Sequence, residues 1–78
     1  MQTKKLQMDI SKAMSICLRH GVTVYPVVSG RMFKIEVNDN NKLKRYTKEI
    51  GPKEISKAQS DTYKYHAIKI LNDKNNAV

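Results

Sequence analysis

Residues 31–50, RMFKIEVNDNNKLKRYTKEI, decide the fold that we predict from the sequence. Across positions 33–37, Phe, Ile and Val alternate with Lys and Glu, the period-two pattern of a strand with one buried face. Residues 38–41 are all Asn or Asp, which favour turns because their side chains bond nearby backbone and tolerate positive φ. A second extended run follows at 42–49, so the stretch predicts a β-hairpin.

An amphipathic helix is predicted before the hairpin, at residues 4–20, where apolar residues recur at the spacing of one helical face. Thr3 is placed to cap its start, and Gly21 to end it in the left-handed region. The predicted apolar stripe consists of Leu6, Ile10, Ala13, Met14 and Cys17.

A first strand is predicted at residues 22–28, which are rich in β-branched side chains. Pro26 cannot donate a hydrogen bond to a neighbouring strand, so this strand lies at a sheet edge or carries a bulge. A tight turn at 29–30 would place the strand 31–37 in the centre of a three-stranded sheet. The third strand lacks a clean alternation, which predicts a bulge near 44–45.

A second helix is predicted at residues 52–71, with proline at its first position. Its first half is only partly apolar, so a single helix and two helices separated by a break near Ser60 both remain open. The termini, residues 1–3 and 72–78, are predicted to fray. The residues that share the packed face are Ile55, Gln59, Thr62, Tyr63, His66, Ala67 and Ile70.

The predicted fold class is α+β, with the order α-β-β-β-α in a single domain of 78 residues. The two helices could both cover one face of the antiparallel sheet, or they could cover one face each. Lys34 and Glu36 need a wet surface in the middle of the sheet, which favours both helices on one face.

The charge balance points to a polyanionic partner. The chain carries 15 Lys and Arg residues against 7 Asp and Glu, for a net charge of +8. Nucleic acid is the first candidate, ahead of an anionic membrane surface or an acidic protein. The alternative is a small protein that is simply rich in lysine.

The location that we expect is the cytoplasm. A single cysteine, Cys17, allows no intrachain disulfide, which fits a reducing compartment. The N-terminal segment is interrupted by Asp9 and Lys12, so it does not suit a signal peptide, and we expect no membrane association.

Neither an enzyme nor a metalloprotein is expected. The spacing of His20, His66 and the lone cysteine matches no zinc site, and three glycines do not form a phosphate-binding loop. His66 lies on the packed face of the second helix and is expected to be a partly buried histidine without a catalytic role. No cofactor is expected.

The hairpin combines positive charge with aromatic area, and we predict that it contacts duplex DNA. Strands can enter the major groove, where Arg and Lys read guanine or bind phosphates. Two alternatives stay open, namely charges that protect a sheet edge from aggregation and a protein-binding surface. The candidate nucleic-acid-binding residues are Arg31, Lys34, Lys42, Lys44, Arg45, Tyr46 and Lys48.

The run RMFKIEV at 31–37, the Asn/Asp turn, KRYT at 44–47 and the closing helix resemble two groups of small DNA-binding domains. These are the AP2-type domains and the arm-binding N-terminal domain of tyrosine integrases. The tryptophans and glycines common in AP2 domains are absent, and the first helix has no counterpart there. In such domains the sheet enters the major groove, which implies contacts from Arg31, Lys34, Lys44, Arg45 and Lys48.

The function that we expect is non-enzymatic DNA binding, in a regulatory role or an accessory role in recombination or replication. Small basic proteins of this kind are typical of phages and mobile elements. RNA or single strands are weaker candidates, because aromatic stacking platforms are few.

The alternative is a protein-binding module, such as a phage-encoded inhibitor of a host nucleoprotein complex. Apolar positions such as Met8, Met32 and Tyr65 would then matter more than the lysines. Met8 and Ile16 lie off the main apolar stripe of the first helix, where they could mediate a homodimer.

Overall fold

The computed structural model describes residues 8–76 and, for side chains, residues 8–73. The predicted α-β-β-β-α order is confirmed, with a three-stranded antiparallel sheet in the order β1-β2-β3. The elements are α1 (Ile10–Arg19), β1 (Val22–Ser29), β2 (Met32–Asp39), β3 (Lys42–Arg45), a short 3₁₀ turn (Pro52–Glu54) and α2 (Ile55–Asn76).

Both helices pack on one face of the sheet, as predicted. Val24 pairs with Val37, and Pro26 with Ile35, so these side chains share a face. The buried core joins this face to the two helices and consists of Ala13, Cys17, Val22, Val24, Ile35, Val37, Ile50, Tyr63 and Ala67. The opposite face of the sheet, which we call the open face, carries the alternate residues of each strand.

The helix α1 is shorter than predicted. It begins at Ile10, after Asp9 in an extended conformation, whereas the prediction started it at residue 4. Residues 1–7, with the predicted cap and the start of the stripe, lie outside the described part of the chain. At its other end, Gly21 has a φ of 75°, which confirms the predicted left-handed termination.

The buried side of α1 is rotated relative to the predicted stripe. Ala13 and Cys17 are buried, but Met14 is exposed at the rim, and Ile16 packs against the core in its place. Met8 also packs against the core. Met8 and Ile16, which the sequence suggested for a homodimer contact, are thus both partly buried against the core.

The turn between β1 and β2 lies one residue later than predicted. Ser29 pairs with Met32, so the two central residues are Gly30 and Arg31. Gly30 has a φ of 64° and Arg31 does not have a positive φ, the combination that type II′ hairpin turns use. Arg31 thus belongs to the turn and not to the strand.

The turn between β2 and β3 consists of Asn40 and Asn41, which follow the last residue of β2. Their φ values are 54° and 75°, and positive φ at both central positions is what a type I′ hairpin turn requires. The backbone N–H of Asn41 also donates to the side-chain oxygen of Asn38 at 2.8 Å. The predicted hairpin is therefore present.

The strand β3 ends at Arg45, well before the predicted end at 49. The N–H of Tyr46 still donates to the carbonyl of Ile35 at 2.8 Å, and pairing resumes where Phe33 and Ile50 bond each other in both directions. Three residues, 47–49, thus lie opposite a single residue of β2. The irregularity predicted near 44–45 lies instead after the strand, because the chain must reach the bridge at Ile50.

The helix α2 is continuous, so of the two arrangements that the sequence left open the single helix is present. Thr62 and Tyr63, two and three residues after Ser60, are buried, and this packing stabilises the helix through its polar first half. The helix runs to Asn76, beyond the predicted end at residue 71, and the fraying predicted for 72–78 stays a prediction. Residues 1–3, 77 and 78 lie outside the described part of the chain.

Two side chains of α2 bond the free edge of β1 at Val24. The N–H of Val24 donates to the hydroxyl of Tyr63 at 3.1 Å, and its carbonyl accepts from Nε2 of Gln59 at 2.8 Å. Pro26 lies two residues after Val24, so its backbone nitrogen also points to this edge. The N–H that proline lacks is therefore not needed for pairing with β2. The strand is therefore an edge strand, and its pairing with β2 is continuous without a bulge.

Candidate nucleic-acid interface

The structure divides the seven predicted interface residues among four places. Their positions follow from strand register, since residues paired across strands point to the same face. Lys34 and Arg45 lie on the open face of the sheet. Lys42 and Lys44 lie on β3, on the face that the helices pack against. Arg31 lies in the β1–β2 turn, and Tyr46 and Lys48 lie in the segment after β3.

The strand β3 forms a basic ridge, by which we mean its four residues Lys42, Leu43, Lys44 and Arg45. All of them are exposed, because β3 pairs with β2 on one side only and α1 and α2 pack over the other two strands. Strand alternation sends Lys42 and Lys44 to one side of the ridge and Leu43 and Arg45 to the other. Cationic side chains therefore project from both sides of a narrow edge.

The lysines of the ridge are not neutralised by neighbouring carboxylates. Among the described residues the ion pairs are Arg45 with Glu36 and, on α2, Lys57 with Asp61. Lys42 and Lys44 take part in neither pair, nor does the exposed Lys48 that follows the ridge. Their charge is available to an anionic partner.

A row of three polar side chains crosses the open face, one from each strand. Tyr25, Glu36 and Arg45 are aligned by the register of the sheet, and we call them the cross-sheet row. The Tyr25 hydroxyl donates to Oε2 of Glu36 at 2.6 Å, and Nε of Arg45 donates to Oε1 of Glu36 at 3.0 Å. Glu36 is only 8% exposed, although its neighbours on this face are not covered by a helix.

The cross-sheet row keeps Glu36 ionised. The hydrogen bond from the Tyr25 hydroxyl lowers the pKa of the Glu36 carboxyl, and the Arg45 guanidinium lowers it further, against the opposing effect of burial. The same hydrogen bond to Glu36, with burial, raises the pKa of the Tyr25 hydroxyl. The row is therefore a charged, hydrogen-bonded unit across the three strands.

Sequence reasoning placed Glu36 on a wet face but missed this row. The three residues are separated by 11 and 9 positions, so only the register of both hairpins aligns them. The asparagine pair indicates a two-residue turn, and the register of such a turn would have predicted the pairing of Glu36 with Arg45.

Tyr46 is less available to a partner than its neighbours. It is half-buried and packs against the core, and burial and the neighbouring Tyr65 raise the pKa of its hydroxyl. The ring thus contributes to packing, and the basic ridge, rather than an aromatic platform, is the main exposed feature of the predicted interface.

A cleft of about 410 Å³ lies between the end of α1, the β2–β3 turn and α2. Its lining mixes His20, His66 and Lys69 with Asp39 and Asp73. This mixture of charges does not suit a polyanion.

His66 forms part of the wall of this cleft. Its Nε2 atom is buried and has no hydrogen-bond partner among the described residues. Burial lowers the pKa of the His66 imidazole, as do Lys69 and Lys44, while Asp39 opposes them. The folded protein therefore favours the neutral ring.

We expect the free energy of unfolding to fall as the pH drops below about 6.5, the ordinary pKa of histidine. Because the folded-state pKa is the lower one, the unfolded chain binds the proton first and gains stability in this window. The fall ends once the folded protein is protonated as well. Urea unfolding at a series of pH values measures it, and His66→Gln should flatten the dependence. An unchanged dependence in the variant would contradict this assignment.

Other kinds of site find little support in the described residues. No group of three or more His, Cys, Asp or Glu side chains there could hold a metal ion. Cys17 is fully buried, and burial raises the pKa of its thiol, as expected of a core cysteine. Within residues 8–76, neither helix combines the length and the apolar character that crossing a membrane demands.

Comparison with known proteins identifies no relative of this chain. The resemblance to AP2-type and integrase arm-binding domains stays a prediction that rests on the hairpin and the closing helix alone. No family model, no curated protein and no solved structure matches this chain.

Proposed function

We propose that this protein binds duplex DNA by placing the basic ridge in the major groove. The observation that carries the proposal is that β3 is exposed at every residue and presents cations on both sides. The major groove admits a two-stranded β-ribbon, and the β2–β3 hairpin has that form. The role that follows is non-enzymatic, as a regulator or as an accessory protein in recombination or replication.

The charges around the ridge suit a groove with phosphates on both walls. Lys42 and Lys44 would face one wall, and Lys34 the other, since they lie on opposite sides of the sheet. Lys48, just beyond the ridge, is exposed as well. With a net charge of +8, the whole chain adds long-range attraction to this local fit.

A protein partner is the second candidate, and the exposed apolar side chains of α1 favour it. Leu18 is 53% exposed, and Met14 lies one turn before it on the same helix. Of the apolar positions that the sequence suggested for this role, Met8 and Met32 are half-buried and Tyr65 is exposed. A protein-binding surface on α1 would not depend on the ridge lysines.

Fluorescence polarisation with a random duplex, at about 50 mM and about 200 mM salt, tests the proposal. The double variant Lys42→Gln/Lys44→Gln should bind about tenfold more weakly at the lower salt and reduce the slope of log affinity against log salt by about 1.8. The matched control is Lys12→Gln/Lys53→Gln, which removes the same charge from exposed positions on the helical side.

Two outcomes would contradict DNA binding by the ridge. The first is an equal loss in both double variants, which would mean that only net charge matters. The second is no duplex binding at the lower salt. That result would favour the protein partner, for which Leu18→Ser is the next variant to compare in a pull-down.

A further inference from the structure

We infer that Arg45 reads guanine in the duplex and that Glu36 and Tyr25 are positioning residues that hold its guanidinium for this task. This inference rests on the proposed DNA binding and adds to it the base that the ridge recognises. It is carried by the geometry of the cross-sheet row.

The guanidinium of Arg45 is held on one side and free on the other. Its Nε donates to Oε1 of Glu36 at 3.0 Å, and its Nη2 lies 3.0 Å from the same oxygen. The side chain is nevertheless 55% exposed. Arginine has five N–H donors, so its two terminal nitrogens retain donors for a second acceptor beyond the sheet.

The carboxylate that holds Arg45 is itself fixed. Glu36 lies on the central strand and is nearly buried. Its second oxygen accepts a hydrogen bond of 2.6 Å from the Tyr25 hydroxyl. A long arginine side chain ordinarily loses rotamer freedom when it binds a base. Here part of that ordering is already present in the free protein, which favours a contact with strict geometry.

The chemistry of the row suits guanine better than phosphate. Guanine presents two adjacent acceptors in the major groove, O6 and N7, which accept two N–H groups of one arginine. A phosphate is attracted mainly by net charge, and the Glu36 carboxylate next to Arg45 cancels that charge and repels an anion. The unpaired lysines of the ridge are the better phosphate contacts.

Glu36 is not itself a base reader in this arrangement. A carboxylate can accept from the exocyclic amine of cytosine, but both oxygens of Glu36 are occupied by Tyr25 and Arg45. Its contribution to recognition is therefore made through Arg45.

Selection from a duplex library with a randomised central segment, followed by sequencing, tests the inference. The wild-type protein should enrich guanine at one or more positions. Lysine can also contact guanine, but Arg45→Lys replaces the planar guanidinium that Glu36 orients with a flexible ammonium, so it should lower the guanine preference about tenfold. Glu36→Gln replaces the carboxylate with a neutral amide, which weakens the hold on the guanidinium and raises the net charge by one, so the preference should fall while total affinity stays equal or rises.

The matched control is Asp61→Asn, which also raises the net charge by one but acts on an exposed carboxylate of α2. It should raise affinity slightly and keep the guanine preference. Thermal unfolding of each variant by circular dichroism checks that it is folded, and Arg45→Lys at its half-exposed position provides the test if Glu36→Gln unfolds.

Salt-dependent binding without guanine enrichment would overturn the inference and leave DNA binding by the ridge intact. Equal guanine preference in Arg45→Lys and wild type would overturn it as well, and would point to a phosphate contact for Arg45. Absence of duplex binding in the wild type would overturn both the inference and the proposed function.

Discussion

Replacing Tyr63 with alanine should lower the free energy of unfolding by about 4 kcal/mol, the range measured for large aromatic residues in protein cores. Tyr63 is 5% exposed and packs among both helices and the sheet. Its hydroxyl also satisfies the N–H of Val24 at the β1 edge. A chain of this length has a total stability of about 4–12 kcal/mol, so the loss is a large share of the whole.

Urea unfolding followed by circular dichroism measures this effect, and two further variants separate its causes. Tyr63→Phe keeps the ring and leaves the Val24 N–H without its partner, which should cost about 1–2 kcal/mol. Tyr65→Ala makes the same truncation at a position that is 58% exposed, and should change stability by less than about 0.5 kcal/mol. Equal effects at both tyrosines would contradict the packing described for α2.

Replacing Gly21 with alanine is expected to cost about 2 kcal/mol, because a side chain at this left-handed position is disfavoured by about 1–2 kcal/mol before any contact is considered. A Cβ atom there would also collide with the side-chain oxygen of Asn40. That side chain is not free to move away without loss. Its Nδ2 donates to the carbonyl of His20 at 3.0 Å, and the Asn40 N–H donates to the carbonyl of Gly21 at 2.9 Å.

Repeating Gly21→Ala in an Asn40→Gly background isolates the collision. Glycine keeps the positive φ that the turn requires and removes the side chain that the new Cβ would meet. The cost of Gly21→Ala should then fall to about 1 kcal/mol, the backbone contribution alone. An equal cost in both backgrounds, measured by urea unfolding, would show that the Asn40 side chain does not contribute to the cost of alanine at position 21.

The elements of this fold could be predicted because their signals are local. Alternation over β2, paired asparagines and the punctuating glycine Gly21 each specify the conformation of a few neighbouring residues. What could not be predicted depends on distant partners. The end of β3 is set by the bridge from Ile50 to Phe33, and the continuity of α2 is set by packing of Thr62 and Tyr63.

The candidate site shows the same division. The sequence supplied the basic residues of the hairpin, because charge can be read one residue at a time. Whether they share a face depends on strand parity and on where β3 ends, which separates Lys42 and Lys44 from Arg45 and leaves Lys48 beyond the strand. The partnership of Tyr25 with Glu36 required the register of the first hairpin, whose turn lies one residue later than predicted.

The hydrogen-bonded edge of β1 limits how copies of this protein can assemble. An exposed strand edge is a template on which another chain can add, and open-ended fibres need two such edges on every copy. Here the outward N–H and carbonyl of Val24 are hydrogen-bonded to the side chains of Tyr63 and Gln59, and Pro26 has no N–H to donate. A third copy that added at β1 would find neither free outward groups at Val24 nor an N–H at Pro26, so strand addition at β3 favours pairs of copies over longer stacks.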